Sequence, residues 1–307
     1  MKGGFSIFGF LFSVKDQGKV QGPLAKTENR KQETENRIMT EPTAEVPIRR
    51  YLQGRLEETR DLVVVEEPLE IRLAGEPFQV LMRLPGLEKE LALGFLFTEG
   101  IIQNLSEVIT LHFCGTATDP LLPPNVVDVS LSEAALARRG RRHLEVAYSS
   151  CGLCAKEAVS EILRTVAPVE SALAVTPDEL LSLTARMQEA QTIFRATGGS
   201  HGVALAAPGR DPFLMAEDVG RHNAMDKVIG RALLQKRDLT AMVALLSGRI
   251  SLEMALKAAR AGIPILAAVS APTTMALELA QELHLTLAGF VRDRRLNIYC
   301  HPERIRI

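Results

Sequence analysis

A chain of 307 residues, 46% apolar and 24% charged, has the balance of a folded protein with a real core, although 5% aromatic content and no Trp make that core mostly aliphatic. With 36 Lys and Arg against 37 Asp and Glu, the chain lacks the broad positive field that grips duplex nucleic acid, so any anion site must be a local cluster. No apolar run reaches the roughly 20 residues that span a bilayer, and four cysteines are too few for a disulfide framework; no membrane or nucleic-acid partner is expected.

The apolar stretch from Gly3 to Val14 has one Lys before it and no small-residue cleavage pattern, which argues against a signal peptide. The polar stretch after it cannot bury enough surface to fold, so residues 1–45 are read as a disordered tail, with Met39 as an alternative start. Residues 46–145 are expected to form a smaller α+β part. Its β-rich runs lie at 63–67, 69–73 and 78–84, with a turn at Ala74–Pro77. A helix is predicted over 88–99 with Gly100 as its stop, and further strands over 107–113 and 126–131 around a Pro-rich loop. The Arg-dense 138–143 reads as a solvated segment.

Residues 146–307 alternate between helices and strands. Helices are predicted over 155–166, 177–193, 222–235, 249–261 and 273–284, and strands over 202–208, 213–219, 241–247, 264–270, 285–290 and 296–300. Runs such as AMVALLS and PILAAVS are apolar at every position, which suits strands covered on both faces. The predicted class is therefore α/β, a layered mixed sheet with helices on both faces, beside the β-rich N-terminal part. In such sheets the ligand crevice forms outside the carboxyl ends of the strands.

Cys151 and Cys154 stand as a CxxC immediately before a predicted helix. A thiol there faces unpaired N–H groups and the positive end of the helix dipole, which favour the thiolate. Such a thiolate can attack a donor persulfide, hold the outer sulfur and release it, and a second thiol three residues away can assist. The same pair also suits a structural zinc, with His112 and Cys114 completing a shell, or a redox couple. Zinc deaminase chemistry is disfavoured, because the position that would hold its proton-shuttling Glu is Cys114. Cys114 and Cys300 read as small apolar core residues.

The other polar clusters fall where predicted strands end. Gly198, Gly199 and His201 lie in a glycine-rich entry to a strand, where the backbone could approach a ligand closely. Arg221, His222 and Asn223 follow Asp218-Val219-Gly220 at the start of a helix. Arg249 and Ser270 occupy strand-to-helix turns whose N–H groups and hydroxyls suit phosphate, with N-capping by Ser251 and Thr273 as the plainer reading. Phe290, Val291, Arg292, Asp293, Arg294 and Arg295 carry three Arg in four positions, a fit for phosphate oxygens or, more plainly, a solvated hairpin turn.

Taken in order, SSCGLC, ATGGSHGVAL, EDVGRHNAMDKVIG, SGRIS, AGIPILAAVSAPTTMALELA and TLAGFVRDRRLNIYCHPERI, with the earlier VVEEPLEIRLAGEPFQVLMRLPG and ELALGFLFTEGII, closely resemble the formate dehydrogenase accessory sulfurtransferase family, FdhD, over roughly residues 48 to 307. The resemblance implies a cytoplasmic homodimer with a cytidine-deaminase-like fold. It implies a sulfurtransferase that takes persulfide sulfur from a cysteine desulfurase and passes it to the molybdenum bis(molybdopterin guanine dinucleotide) cofactor, bound as substrate, for formate dehydrogenase. Cys151 would carry the sulfur with Cys154 as its partner, the F-x-R-x-x-R block at Phe290 to Arg295 would hold the cofactor, and no tightly bound metal is expected. Ala155 departs from the Gly that many relatives carry after the second cysteine. The alternatives are a cofactor-binding chaperone that does no chemistry and a structural zinc protein.

Overall fold

In the second half of the chain, apolar residues at successive strand positions supply two opposite faces, so the sheet they form must be covered on both sides. A computed structural model of the chain describes residues 41–114, 125–139, 162–209 and 212–307, and it shows that sheet. Six strands run in the order β12-β11-β10-β9-β7-β8, namely β7 (His201–Ala206), β8 (Phe213–Asp218), β9 (Val243–Leu246), β10 (Ile265–Ala268), β11 (Thr286–Arg292) and β12 (Arg295–Cys300). Strands β9, β10 and β11 are mutually parallel; β7 is antiparallel to β9, β8 to β7 and β12 to β11.

Alternate residues separate the two cores. Val203, Leu205, Ala244, Leu246, Leu266, Ala268 and Leu287 face α5 (Arg221–Leu234), α6 (Leu252–Arg260) and α7 (Thr274–Glu282). Ala204, Ala206, Val243, Leu245, Ile265, Ala267 and Ala288 face the other way, onto Leu180 and Met187 of α3 (Pro177–Ala190). Thr176 starts α3 with a complete capping box, its hydroxyl accepting from Glu179 N–H while the Glu179 carboxylate accepts from Thr176 N–H. Cys300 is a buried core residue whose thiol donates to the Leu285 carbonyl at 3.2 Å, and burial pushes that thiol's pKa up.

The N-terminal part is a four-stranded sheet in the order β4-β3-β6-β5, from β3 (Glu67–Leu73), β4 (Glu76–Arg83), β5 (Val108–Cys114) and β6 (Val126–Leu131). The turn Ala74-Gly75, with both φ positive (53° and 84°), closes the β3–β4 hairpin, as two-residue loops of this kind require. Leu69, Ile71, Val127 and Val129 pack on Leu91, Leu93 and Leu96 of α1 (Glu88–Thr98), with α2 (Glu133–Arg138) at the sheet's end.

Helix α1 joins this part to the larger one by crossing α5 in backbone contact. Gly94 and Gly230 make the approach possible: a methyl at Gly94 would fall on the Asp226 carbonyl, and one at Gly230 on the Glu90 carbonyl. Below the crossing, Lys257 donates to both carboxylate oxygens of Asp226, at 2.8 and 2.9 Å, and to Thr98 Oγ1 at 2.8 Å, all three residues being buried. No helix among the described residues is long and apolar enough to cross a membrane.

Three features depart from the expectations. The tail was drawn to residue 45, but β1 (Thr43–Leu52) and β2 (Arg55–Val64) pair as a long antiparallel hairpin starting at Thr43. Its residues are largely exposed and several of its ion pairs run between the strands, among them Arg49–Glu58, Arg50–Glu57 and Arg60–Glu45, so it lacks the buried alternation that reveals a strand. The helix expected over 177–193 breaks at Gln191, and α4 (Thr192–Thr197) begins anew because both Glu217 carboxylate oxygens accept its N–H groups at Ile193 and Phe194. The helix expected from 249 starts at Leu252, because Ile250 is first used to bridge Pro272 and bury its side chain.

Candidate ligand site at the sheet edge

Strand directions decide which side chains meet. Because β8, β9, β10 and β11 end at the edge where β7 begins, the segments around His201, Asp218, Ser247, Ser270 and Phe290 share one rim of the sheet. Hydrogen bonds stitch it together: Ser247 Oγ accepts from Gly202 N–H at 2.9 Å, and between backbone groups Val269 N–H donates to Leu246 O at 3.0 Å and Phe290 N–H to Ser270 O at 3.1 Å. The crevice rule for open α/β sheets points to this rim.

Its first half is cationic. His201 pairs in register with Asp218, and its ring lies over Gly248, where an added Cβ would stand 3.5 Å from Nδ1. Partial burial, Arg221 and His222 all push the His201 pKa down. Arg221 and His222 open α5, and the Glu253 carboxylate reaches them from α6, 2.6 Å from His222 Nε2 and 3.9 Å from Arg221 Nη2. Arg249 is exposed and Ser270 partly buried on the neighbouring turns.

Asp218, fully buried, fixes this half in place. Its carboxylate accepts from Gly220 N–H at 3.0 Å, Asn223 Nδ2 at 3.1 Å and Leu84 N–H at 3.2 Å, and pairs with Lys227 Nζ at 2.7 Å. Burial pushes the Lys227 pKa down, with Asp218 opposing. The Asn223 amide also donates to Met82 O at 2.7 Å, which ties the start of α5 to β4. Glycine-rich residues 198–199 are used locally. Gly198 ends α4 at φ 69°, and a Cβ on Gly199 would stand 2.9 Å from Val64. Of the two expected caps, Thr273 accepts from Ala276 N–H at 3.3 Å, whereas Ser251 Oγ lies 3.4 Å from the Glu253 carboxylate and makes no cap bond.

The second half is the arginine turn. Arg292 and Arg295 pair across β11 and β12, with Asp293 and Arg294 as the two loop residues, both at positive φ (53° and 61°). Phe290 also has a positive φ of 53°. Such backbone costs on the order of 1 kcal/mol per non-glycine residue and recurs where function requires it. Val291 is buried in the core, whereas Arg292, Asp293 and Arg294 overhang a cleft of about 520 Å³ that Leu181, Gln188 and Val269 also line. The Arg292 guanidinium lies 5.9 Å from the centre of the Phe290 ring. From β7 to β11 the rim spans three interstrand steps, on the order of 14 Å.

Cys151 and Cys154 lie outside the described residues, as does the backbone that would place them. Sequence reasoning missed Glu253 and undervalued Asp218 and Lys227. The adjacent Asp226 and Lys227 inside AMDKVIG, whose other residues are apolar or Gly, were the available signal for the last. A second cleft, of about 570 Å³, lies at the opposite edge of the sheet, between Phe97, Arg138, Val166, Thr240 and Arg260, away from these clusters.

The fold and rim define a two-part α/β protein with Arg221, Arg249, Arg292, Arg294, Arg295, His201 and His222 placed outside the carboxyl ends of strands of a mixed sheet. The chain belongs to the FdhD/NarQ family, whose model matches residues 64–306. It is 45% identical over 255 residues to the sulfur carrier protein FdhD of Mycolicibacterium paratuberculosis, an alignment covering 80% of this chain and 92% of that one. To the sulfur carrier protein FdhD of Saccharolobus solfataricus it is 41% identical over 249 residues, covering 80% and 91%. A crystal structure of a formate dehydrogenase accessory protein from Desulfotalea psychrophila superposes with a TM-score of 0.69 at 27% identity, covering 86% of this chain and 99% of that one.

Proposed function

We propose that this chain is a sulfurtransferase that carries sulfur to the cofactor of a formate dehydrogenase. What carries the reading is its 45% identity, across nine tenths of the relative's length, to a protein named as a sulfur carrier. Cys151 receives the sulfur: its thiolate attacks the outer sulfur of a cysteine desulfurase persulfide, the desulfurase cysteine leaves as thiolate, and Cys151 holds the sulfur as a persulfide. Cys154 completes the release. Its thiolate attacks the inner sulfur of Cys151, sulfide departs with two electrons, and the pair is left as a disulfide for an external dithiol to reduce.

The acceptor is the molybdenum bis(molybdopterin guanine dinucleotide) cofactor, bound as substrate along the rim. A doubly diphosphate-bearing molecule needs two separated anion-binding patches, and the rim offers one at Arg221, with the His222 and His201 imidazoles beside it as hydrogen-bonding groups, and another at Arg292, Arg294 and Arg295, with Arg249 and Ser270 between them. Because the chain releases what it binds, these contacts are partly exposed rather than buried. We place its work in the cytoplasm and its active form as a homodimer, for which the exposed Tyr51, Leu52 and Leu56 at the hairpin tip are candidate contacts.

A bacterial strain lacking its own family member, and therefore without active formate dehydrogenase, tests the reading by complementation. Wild type should restore activity. Cys151→Ala and the pair Arg292→Ala with Arg295→Ala should each lower it at least about tenfold, the arginine pair through lost charge-assisted hydrogen bonds. Full activity with Cys151→Ala and Cys154→Ala together would leave only the chaperone reading, and about one equivalent of zinc on the purified protein would favour the structural-metal reading.

A further inference from the structure

The Glu253 carboxylate lies against Arg221 and His222, two of the residues assigned above to phosphate binding. A first-turn acid normally serves its own helix N-terminus, and Glu253 lies in the first turn of α6. Its Oε2 nevertheless reaches across to α5, 2.6 Å from His222 Nε2 and 3.9 Å from Arg221 Nη2. The first turn of helix α5 holds no acid but two basic side chains at the positive end of the dipole, and the buried Asp218 carboxylate behind it is already bonded to Gly220 N–H, Asn223, Leu84 N–H and Lys227, so Arg221 and His222 look outward to Glu253. The side chains of Arg221, His222 and Glu253 are 31%, 34% and 28% exposed, but His222 Nε2 itself is covered, so a solute reaches that atom only as Glu253 withdraws.

We propose that Glu253 is an exchangeable counter-ion: it neutralises Arg221 and His222 in the empty protein, gives way to a diphosphate when ligand binds, and drives that diphosphate off again. This rests on the reading that phosphate groups of the substrate occupy the rim. Glu253 thereby weakens the hold on purpose, since a carrier that gripped the diphosphate through Arg221, His222 and Arg249 without a competitor would release its product slowly.

Calorimetric titration of the full chain with inorganic pyrophosphate, at fixed pH and ionic strength, tests this. Glu253→Gln should bind about fivefold tighter than wild type, the scale of one solvent-exposed ion pair. Glu253→Asp, which keeps the charge but shortens the reach, should fall between them, and Glu282→Gln, with the same charge change at an exposed position of α7, should match wild type. The gain should vanish in a background that combines Arg221→Ala with His222→Ala, since both groups that Glu253 neutralises are then gone. Pyrophosphate binding that Glu253→Gln leaves unchanged or weakens overturns the counter-ion role while leaving the rim intact. No binding by either protein overturns both.

Discussion

Replacing Gly94 with Ala should cost the protein more than about 3 kcal/mol, the upper end of overpacking penalties or beyond. Two effects compete at this position. In an exposed helix interior the change would help by up to about 1 kcal/mol, because Ala is the better helix former. Here the added methyl has no room, since it would land on the carbonyl of Asp226 in the facing helix. A side-chain neighbour could rotate away; a backbone carbonyl moves only with α5. Gly230 meets α1 in the same way, against Glu90, so Gly230→Ala should behave alike. Because α5 begins with Arg221 and His222, forcing the helices apart also displaces the rim. Thermal unfolding should show the melting temperature lowered by on the order of 10 °C; an unchanged melting temperature would mean that the helices do not cross in contact.

Lys257→Met should destabilise by about 3–5 kcal/mol, because it strands the buried Asp226 carboxylate without its counter-charge. Burial pushes the Asp226 pKa up while Lys257 pulls it back. Removing the lysine leaves the upward push largely unopposed, since Thr98 alone still donates to the carboxylate, at 2.7 Å, and Glu99 is a further negative charge. The sign follows from linkage: with the folded pKa raised above the unfolded value, stability is fully present below the unfolded pKa, about 3.9, and is lost as pH rises through the folded one. Denaturant unfolding of the variant should therefore show stability falling from pH 5 to pH 8 more steeply than in wild type. Adding Asp226→Leu should recover much of the loss and remove that added slope, since apolar replacements of buried ion pairs are often tolerated. A loss that does not depend on pH would argue against a stranded carboxylate.

The larger part of the fold was legible because burial wrote it into the chain. AMVALLS and PILAAVS contain β9 and β10, and the helices expected over 222–235, 249–261 and 273–284 begin and end within a few residues of their apolar periodicity, whereas that over 177–193 breaks at Gln191 and the start of that over 155–166 lies outside the described residues. The β1–β2 hairpin was not legible, since its strands pair through an antiparallel backbone ladder with exposed charge pairs above it, and they expose Tyr51, Leu56 and Leu62 instead of burying every second residue. The same contrast holds at the rim. Clusters contiguous in sequence, such as Phe290 to Arg295 and Arg221-His222, could be singled out by composition. Glu253 and Asp218 could not be weighed correctly, because their partners come from other elements: His222 on α5 for one, Leu84 and Lys227 for the other. Nor did the glycine-rich 198–199 disclose that a neighbouring strand would use it, since Val64 is distant in sequence.

The claim on which the account depends is that Cys151 takes up a sulfur atom. Intact-mass measurement after incubation with a cysteine desulfurase and cysteine tests it most directly. Wild type should gain one sulfur, removable by a mild reductant; Cys154→Ala should still gain it, and Cys151→Ala should gain none. A wild type that stays at its unmodified mass, or a Cys151→Ala protein that loads sulfur as fully as wild type, would contradict it.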